Sequence, residues 1–117
     1  MTDTIQLTVP SGLRGAGVLA LVLGGLGSRL DLPVDRIDEL ALAAATLAPS
    51  VQAGALELEA DVHDDRLVVR IGPLEEGTSA DASLRRVVDS LVDRVAAVQR
   101  DDHECLELEL VRGGAGR

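Results

Sequence analysis

Apolar residues recur along this chain with two different periods, and each period predicts its own kind of element. Ile5, Leu7 and Val9 alternate with Thr4, Gln6 and Thr8. That period of two predicts a half-buried strand over 4–9, ended by Pro10. The same alternation returns over 56–62, with Leu56, Leu58, Ala60 and Val62 inward and Glu57, Glu59 and Asp61 outward. Leu67, Val69 and Ile71 continue an inward face after the polar turn His63-Asp64-Asp65, which predicts a hairpin. The acids of its first strand and Arg66 and Arg70 of its second then pair across the solvent face, for about 0.2–1 kcal/mol each. A last strand is expected where Leu106, Leu108 and Leu110 alternate with Glu107 and Glu109, after a turn at Asp101-Asp102-His103.

The helical period marks three segments. Ser11 is placed to cap a helix over 12–30, with Leu13, Val18, Leu21, Val22 and Leu26 on one face and Leu19, Leu23 and Leu30 on another. Apolar residues nearly encircle it, so it is either central in the domain or shared with a second subunit. The six glycines between Gly12 and Gly27 cost about 1 kcal/mol each relative to Ala inside a helix. Close packing against another backbone, or a frayed end, accounts for them. They lack the Lys-Ser/Thr ending of a phosphate loop and the βαβ context of a dinucleotide site.

The second helix is expected over 32–51, LPVDRIDELALAAATLAPSV. Pro33 pre-sets its start, Asp35 is placed to cap it, and Pro49 stops or kinks it near Ala48. Ile37, Leu40, Ala41, Ala44, Leu47, Ala48 and Val51 form one stripe. Glu39, Ala43, Thr46 and Ser50 form a small, polar line beside it. Such a helix either lines a pocket or is an ordinary core helix. Residues 52–55 and 72–81 read as loops. Leu84, Val87, Val88, Leu91, Val95 and Val98 predict a third helix reaching Val98.

The expected order is β-α-α-β-β-α-β. Each strand has one apolar and one charged face. The fold class that follows is α+β, a two-layer α/β sandwich with a mostly antiparallel four-stranded sheet and three helices on one face. It forms a single domain over 1–111, with a disordered glycine-rich tail over 112–117.

Composition narrows the function. The chain has 117 residues, 46% of them apolar, and no aromatic residue. It therefore has no ring on which to stack single-stranded bases, and its net charge of −9 repels phosphate backbones. A nucleic-acid partner is not expected, and an acidic surface suits a basic protein instead. The apolar run over 15–26 is too short to span a membrane. The lone Cys105 fits a reducing cytoplasm and a small packed residue rather than a nucleophile. His63 and His103 lie among Asp64, Asp65, Asp101, Asp102 and Glu104. They are read as solvated turn residues, because they share no helical face or metal-ligand spacing. No Ser-His-Asp grouping stands out.

The order of elements and the 32–51 helix resemble the anti-sigma-factor serine kinases of the histidine-kinase-like (GHKL) ATPase fold. That family carries an L-P-x-x-x-I-D-E/D-L-x-L-A pattern, matched here by Leu32, Pro33, Ile37, Asp38, Glu39, Leu40, Leu42 and Ala43. LVDRV, Leu91 to Val95, resembles its L-V-D-E-V. All these matches are scaffold positions.

The departures fall on the chemistry that the resemblance implies. The family's helix carries a Glu proposed as base and, one turn later, an Asn that holds Mg²⁺ against the phosphates. Here those positions are Thr46 and Ser50. The family's D-x-G-x-G box aligns with Arg70-Ile71-Gly72-Pro73-Leu74, which puts Ile71 where an Asp accepts the adenine amine. The phosphate-binding G-L-G-L turn aligns with Ala82-Ser83-Leu84-Arg85 and has no glycine. No catalytic or metal residue is therefore expected, and Thr46, Ser50, Ile71 and Gly72 are read as a degenerate nucleotide site.

Three functions follow. The favoured one is an anti-sigma-factor-like regulator without ATP, gripping a protein partner such as a sigma factor or an anti-anti-sigma protein. The alternative is an active serine/threonine kinase using ATP and Mg²⁺, and the third is a structural protein on the same scaffold. A cytoplasmic homodimer, paired through the first strand and helix, is expected in each case.

Overall fold

A computed structural model describes residues 3–10, 13–52 and 55–112. Among them the chain forms β1 (Asp3–Pro10), α1 (Leu13–Arg29), α2 (Val34–Leu47), β2 (Ala55–Val62), β3 (Arg66–Leu74), α3 (Ala82–Asp89), β4 (Arg94–Arg100) and β5 (His103–Val111). Single 3₁₀ turns, Ala48–Ser50 and Thr78–Ala80, follow α2 and precede α3. The sheet runs β1-β2-β3-β5-β4, and every neighbouring pair is antiparallel.

The α+β sandwich matches the expectation, but the sheet has five strands rather than four. The expected helix over 84–98 stops at Asp89, and Arg94–Arg100 is an edge strand. Val92, Val95 and Val98 are spaced by three, which suits a helix stripe, while their β-branching alone favours a strand. The tie-breaker is non-local. The Asp93 N–H donates to Glu109 O at 2.9 Å, and the Asp93 carboxylate accepts from the Val111 N–H at 2.7 Å. This pins the chain beside β5, where Val95 lies opposite Leu108.

Leu56, Leu58, Ala60, Leu67, Val69, Ile71, Leu106, Leu108 and Leu110 face the helices in one continuous core. From α1 the core takes Leu19, Leu23, Leu26 and Leu30, and from α2 Leu40, Ala43, Ala44 and Leu47. Of the two faces expected for the first helix, the core follows mainly the one with Leu19, Leu23 and Leu30. Leu21 points outward at 79% exposure.

The helix starts and turns differ from expectation in two details. Asp35 does not cap α2. Pro33 occupies the cap position, with no side-chain hydrogen bond, and its carbonyl accepts from the N–H groups of Arg36 and Ile37 at 3.0 and 3.1 Å. Asp35 sits in the first turn and contributes only its charge. Gly27 packs against a side chain rather than a backbone: a Cβ there would lie 2.5 Å from Ile37 Cγ1. The α-helix ends at Leu47, two residues before Pro49, as expected.

The loop expected over 72–81 begins later, since Gly72, Pro73 and Leu74 belong to β3. Arg112, the first residue of the expected tail, donates its N–H to Asp65 O at 2.7 Å. The expected Ser11 cap, half of the 52–55 loop and the rest of the tail lie outside the described residues.

Candidate functional site

The exit of α2 is stitched to the end of β3. Val51 bridges Leu74, the Gln52 N–H donates to Pro73 O at 2.8 Å, and the Glu75 N–H donates to Ser50 O at 2.8 Å. The backbone thus joins Ser50–Gln52 to Pro73–Glu75, next to the segments that hold Thr46 and Ile71–Gly72. Their side chains do not converge. The Thr46 hydroxyl donates back to Leu42 O at 2.8 Å, within its own helix. Ile71 is fully buried, opposite Leu58 and Leu106 in the core. Gly72, one residue on, faces the other side of the sheet, where an added Cβ would lie 2.6 Å from Cys105 Sγ.

The segment after β3 is held by acids. The Glu104 carboxylate accepts from the Gly77 N–H at 2.8 Å and the Ser79 hydroxyl at 2.7 Å. Asp81 caps α3, its carboxylate accepting from the Leu84 N–H at 3.1 Å. Ala82–Arg85, aligned with the family's phosphate turn, is therefore a helix start already carrying its own negative group. Arg85 donates to Ser79 O at 3.0 Å, and its Nε is buried without a partner.

Among the described residues the opposite face of the sheet carries no helix and a dense charge network. Arg70 is at its centre. Its guanidinium donates to Glu59 at 2.8 Å, Asp61 at 2.6 Å and Glu107 at 3.0 Å. Arg100 also pairs with Glu59, Gln6 donates to Glu59 at 2.8 Å, and Thr4 donates to Asp61 at 2.9 Å. The expected cross-strand pairing with the β2 acids is thus present for Arg70, whereas Arg66 pairs with Asp65 of the turn at 3.4 Å.

These contacts shift the titrations. Hydrogen bonds from Arg100 and Gln6, aided by Arg70, hold the Glu59 carboxyl down to about 2 against the effect of burial. For Asp61, burial acts upward but is outweighed by the Arg70 and Thr4 hydrogen bonds, so its carboxyl is also lowered. Burial lowers the Arg70 guanidinium, but hydrogen bonds to Asp61, Glu107 and Glu59 outweigh it, and its pKa rises. The Cys105 thiol is pushed up by burial, which suits a packed residue rather than a nucleophile.

Beside this network lies a groove of about 520 Å³ whose lining includes Thr8, Glu57, Gly72, Pro73, Arg100 and Cys105. His103 stands exposed at its rim. Among the described residues no group of three or more His, Cys, Asp and Glu side chains could hold a metal ion. No helix among them is long and apolar enough to cross a membrane.

Sequence reasoning missed Arg36, Asp93 and Glu104, whose polar bonds tie α2, β4 and the segment before α3 into the fold. The one available signal was the charged pair Asp93-Arg94, which interrupts the apolar positions Leu91, Val92 and Val95.

No family model matches the chain. It is a distant relative of a serine-protein kinase. The similarity is to serine-protein kinase RsbW of Halalkalibacterium halodurans, 25% identical over 120 residues, covering 97% of this chain and 67% of that protein. The alignment therefore takes in both the α2 exit and the α3 start.

Proposed function

We propose that the protein is an anti-sigma-factor-like regulator that binds a protein partner on a kinase-type scaffold and neither binds nor hydrolyses ATP. The burial of Ile71 carries this reading. The position aligned with the adenine-binding Asp supplies a core methyl instead of an acceptor. An unpaired base amine costs about 1–3 kcal/mol. The Thr46 hydroxyl, spent on Leu42 O, supplies neither a base nor a free ligand. Asp81 and Glu104 already occupy amides that phosphates would need. Each loss weakens binding by ~10-fold or more, at 1.4 kcal/mol per decade.

The partner in this reading is a sigma factor or an anti-anti-sigma protein in the cytoplasm, met by a homodimer paired through β1 and α1. The outward α1 surface supports the pairing: Val18 and Leu21 are exposed, and added Cβ atoms at Gly17, Gly24 and Gly25 would meet nothing within 4 Å. Large exposed apolar patches on monomers are uncommon.

The similarity to RsbW favours a second reading, an active serine/threonine kinase using ATP and Mg²⁺. Isothermal titration with Mg-ATP and Mg-ADP, with thermal shift as a second probe, separates the two. The regulator reading expects no heat and no shift at millimolar nucleotide. A low-micromolar Kd, weakened by Thr46→Ala or Ser50→Ala, overturns the regulator reading and restores the kinase one.

A further inference from the structure

The solvent face of the sheet is a second candidate surface, and it differs in kind from the α2–β3 junction. Its side chains form cross-strand rows. One row, Gln6–Glu59–Arg70–Glu107, stands tall and is closed by internal ion pairs. The next row toward the sheet end runs Thr8–Glu57–Gly72, with Cys105 beside Gly72 and Val98 opposite Cys105. This row is low in the middle, because Gly72 has no side chain and the Cys105 thiol fills the space a Cβ would take. The groove of about 520 Å³ is the trough so formed, with the Glu59–Arg70–Arg100 wall on one side and Pro73, Asp101 and His103 closing the end.

The charge in the trough that has no ion-pair partner among the described residues is of one sign. Both arginines that line it are committed: Arg70 to Glu59, Asp61 and Glu107, and Arg100 to Glu59. Glu57 and Asp101 are exposed, and neither has an ion-pair partner among the described residues. The groove thus offers two uncommitted carboxylates over a floor of Gly72, Cys105 and Pro73, on a chain of net charge −9.

We infer that this groove is a docking site for a basic, extended segment of a protein partner, one that lays a Lys or Arg stem over Gly72 and Cys105 and brings its charge to Glu57 and Asp101. Long cationic side chains suit such a trough, since the methylene stem covers the floor while the head stays near the carboxylates. Complementary charge of this kind raises the rate and selectivity of encounter. The groove lies on the sheet face away from Thr46 and Ser50, so the inference stands whichever reading of the nucleotide site holds.

The test is an amide-shift NMR titration of the full chain with the capped peptide Lys-Ala-Arg-Ala-Lys, with Glu-Ala-Glu-Ala-Glu as control. Saturable shifts concentrated at Glu57, Gly72, Cys105 and Asp101 are expected with the basic peptide alone. Glu57→Gln combined with Asp101→Asn should weaken binding at least tenfold, with the unfolding temperature retained. Asp35→Asn combined with Asp38→Asn, on exposed α2 positions, should change it less than twofold. Shifts spread over α2 as much as over the groove, equal loss in both double variants, or no saturable binding would overturn the inference.

Discussion

Arg36 of α2 and Asp93, at the start of β4, meet at 3.1 Å, both side chains mostly covered. Asp93 also holds the Val111 N–H, and Arg36 also pairs with Glu39 at 2.8 Å. One carboxylate therefore joins the helix layer, the edge strand and the last strand. Asp93→Ala strands the Val111 N–H and the Arg36 charge together, and should destabilise the fold by about 1–3 kcal/mol in urea unfolding. Arg36→Met leaves the Asp93–Val111 bond and should cost less. Equal losses in the two variants would show that the strand anchor contributes little.

The core around Ile71 has no place for an acid. Ile71→Asp places a carboxylate between Leu58 and Leu106 with no partner in reach, and should cost at least about 3 kcal/mol. Circular dichroism is expected to show partial or complete unfolding at 25 °C, with no gain of nucleotide binding by calorimetry. A folded variant that binds ATP would contradict the burial of this position.

Gly72 is required by space. Its Cβ would meet Cys105 Sγ at 2.6 Å and Glu104 O at 3.0 Å. Gly72→Ala should destabilise by about 1–3 kcal/mol, as overpacking does. Adding Cys105→Ala removes the sulfur but not the carbonyl, so it should recover part of the loss. A double-mutant cycle reads that coupling, and strict additivity would refute the contact.

Acid should act through the outer-face network. The folded pKa values of Glu59, about 2, and Asp61 are depressed. Their contribution is therefore complete above the unfolded carboxylate range and is lost as pH falls through the folded values. Unfolding free energy should drop between about pH 5 and pH 2. Arg70→Met removes a partner from both acids, so it should lower the neutral plateau and flatten that fall. An unchanged slope in Arg70→Met combined with Arg100→Met would exclude the network as its source.

The outward α1 surface gives a further test. Leu21→Glu lies outside the core and should leave the unfolding temperature nearly unchanged at dimer-dissociating dilution, while halving the mass seen by light scattering at micromolar protein. A monomer mass for the unsubstituted protein would remove the dimer from the proposal.

Much of the fold was legible because burial on one sheet face imposes a strict period of two. Leu56–Val62 and Leu106–Leu110 have no other way to hide their leucines, so strand, face and hairpin register follow from local pattern alone. Pro49 ended α2 for an equally local reason, a missing donor and a crowded turn. The residue types at Thr46, Ser50, Ile71 and Gly72 were equally legible, whereas what each of them contacts was not.

Tertiary structure decided the rest. The spacing of three between Val92, Val95 and Val98 favours a helix locally, and only the pairing with β5 and the Asp93 anchor impose the strand. Which side of α1 is buried depended on where α2 packs, at Gly27 and Ile37, because an all-round apolar helix carries no facing signal of its own. The groove was invisible for the same reason. Thr8, Glu57, Gly72 and Cys105 are far apart in the chain, and only strand order and register bring them into one row, where a glycine and a cysteine leave room between taller, charged neighbours.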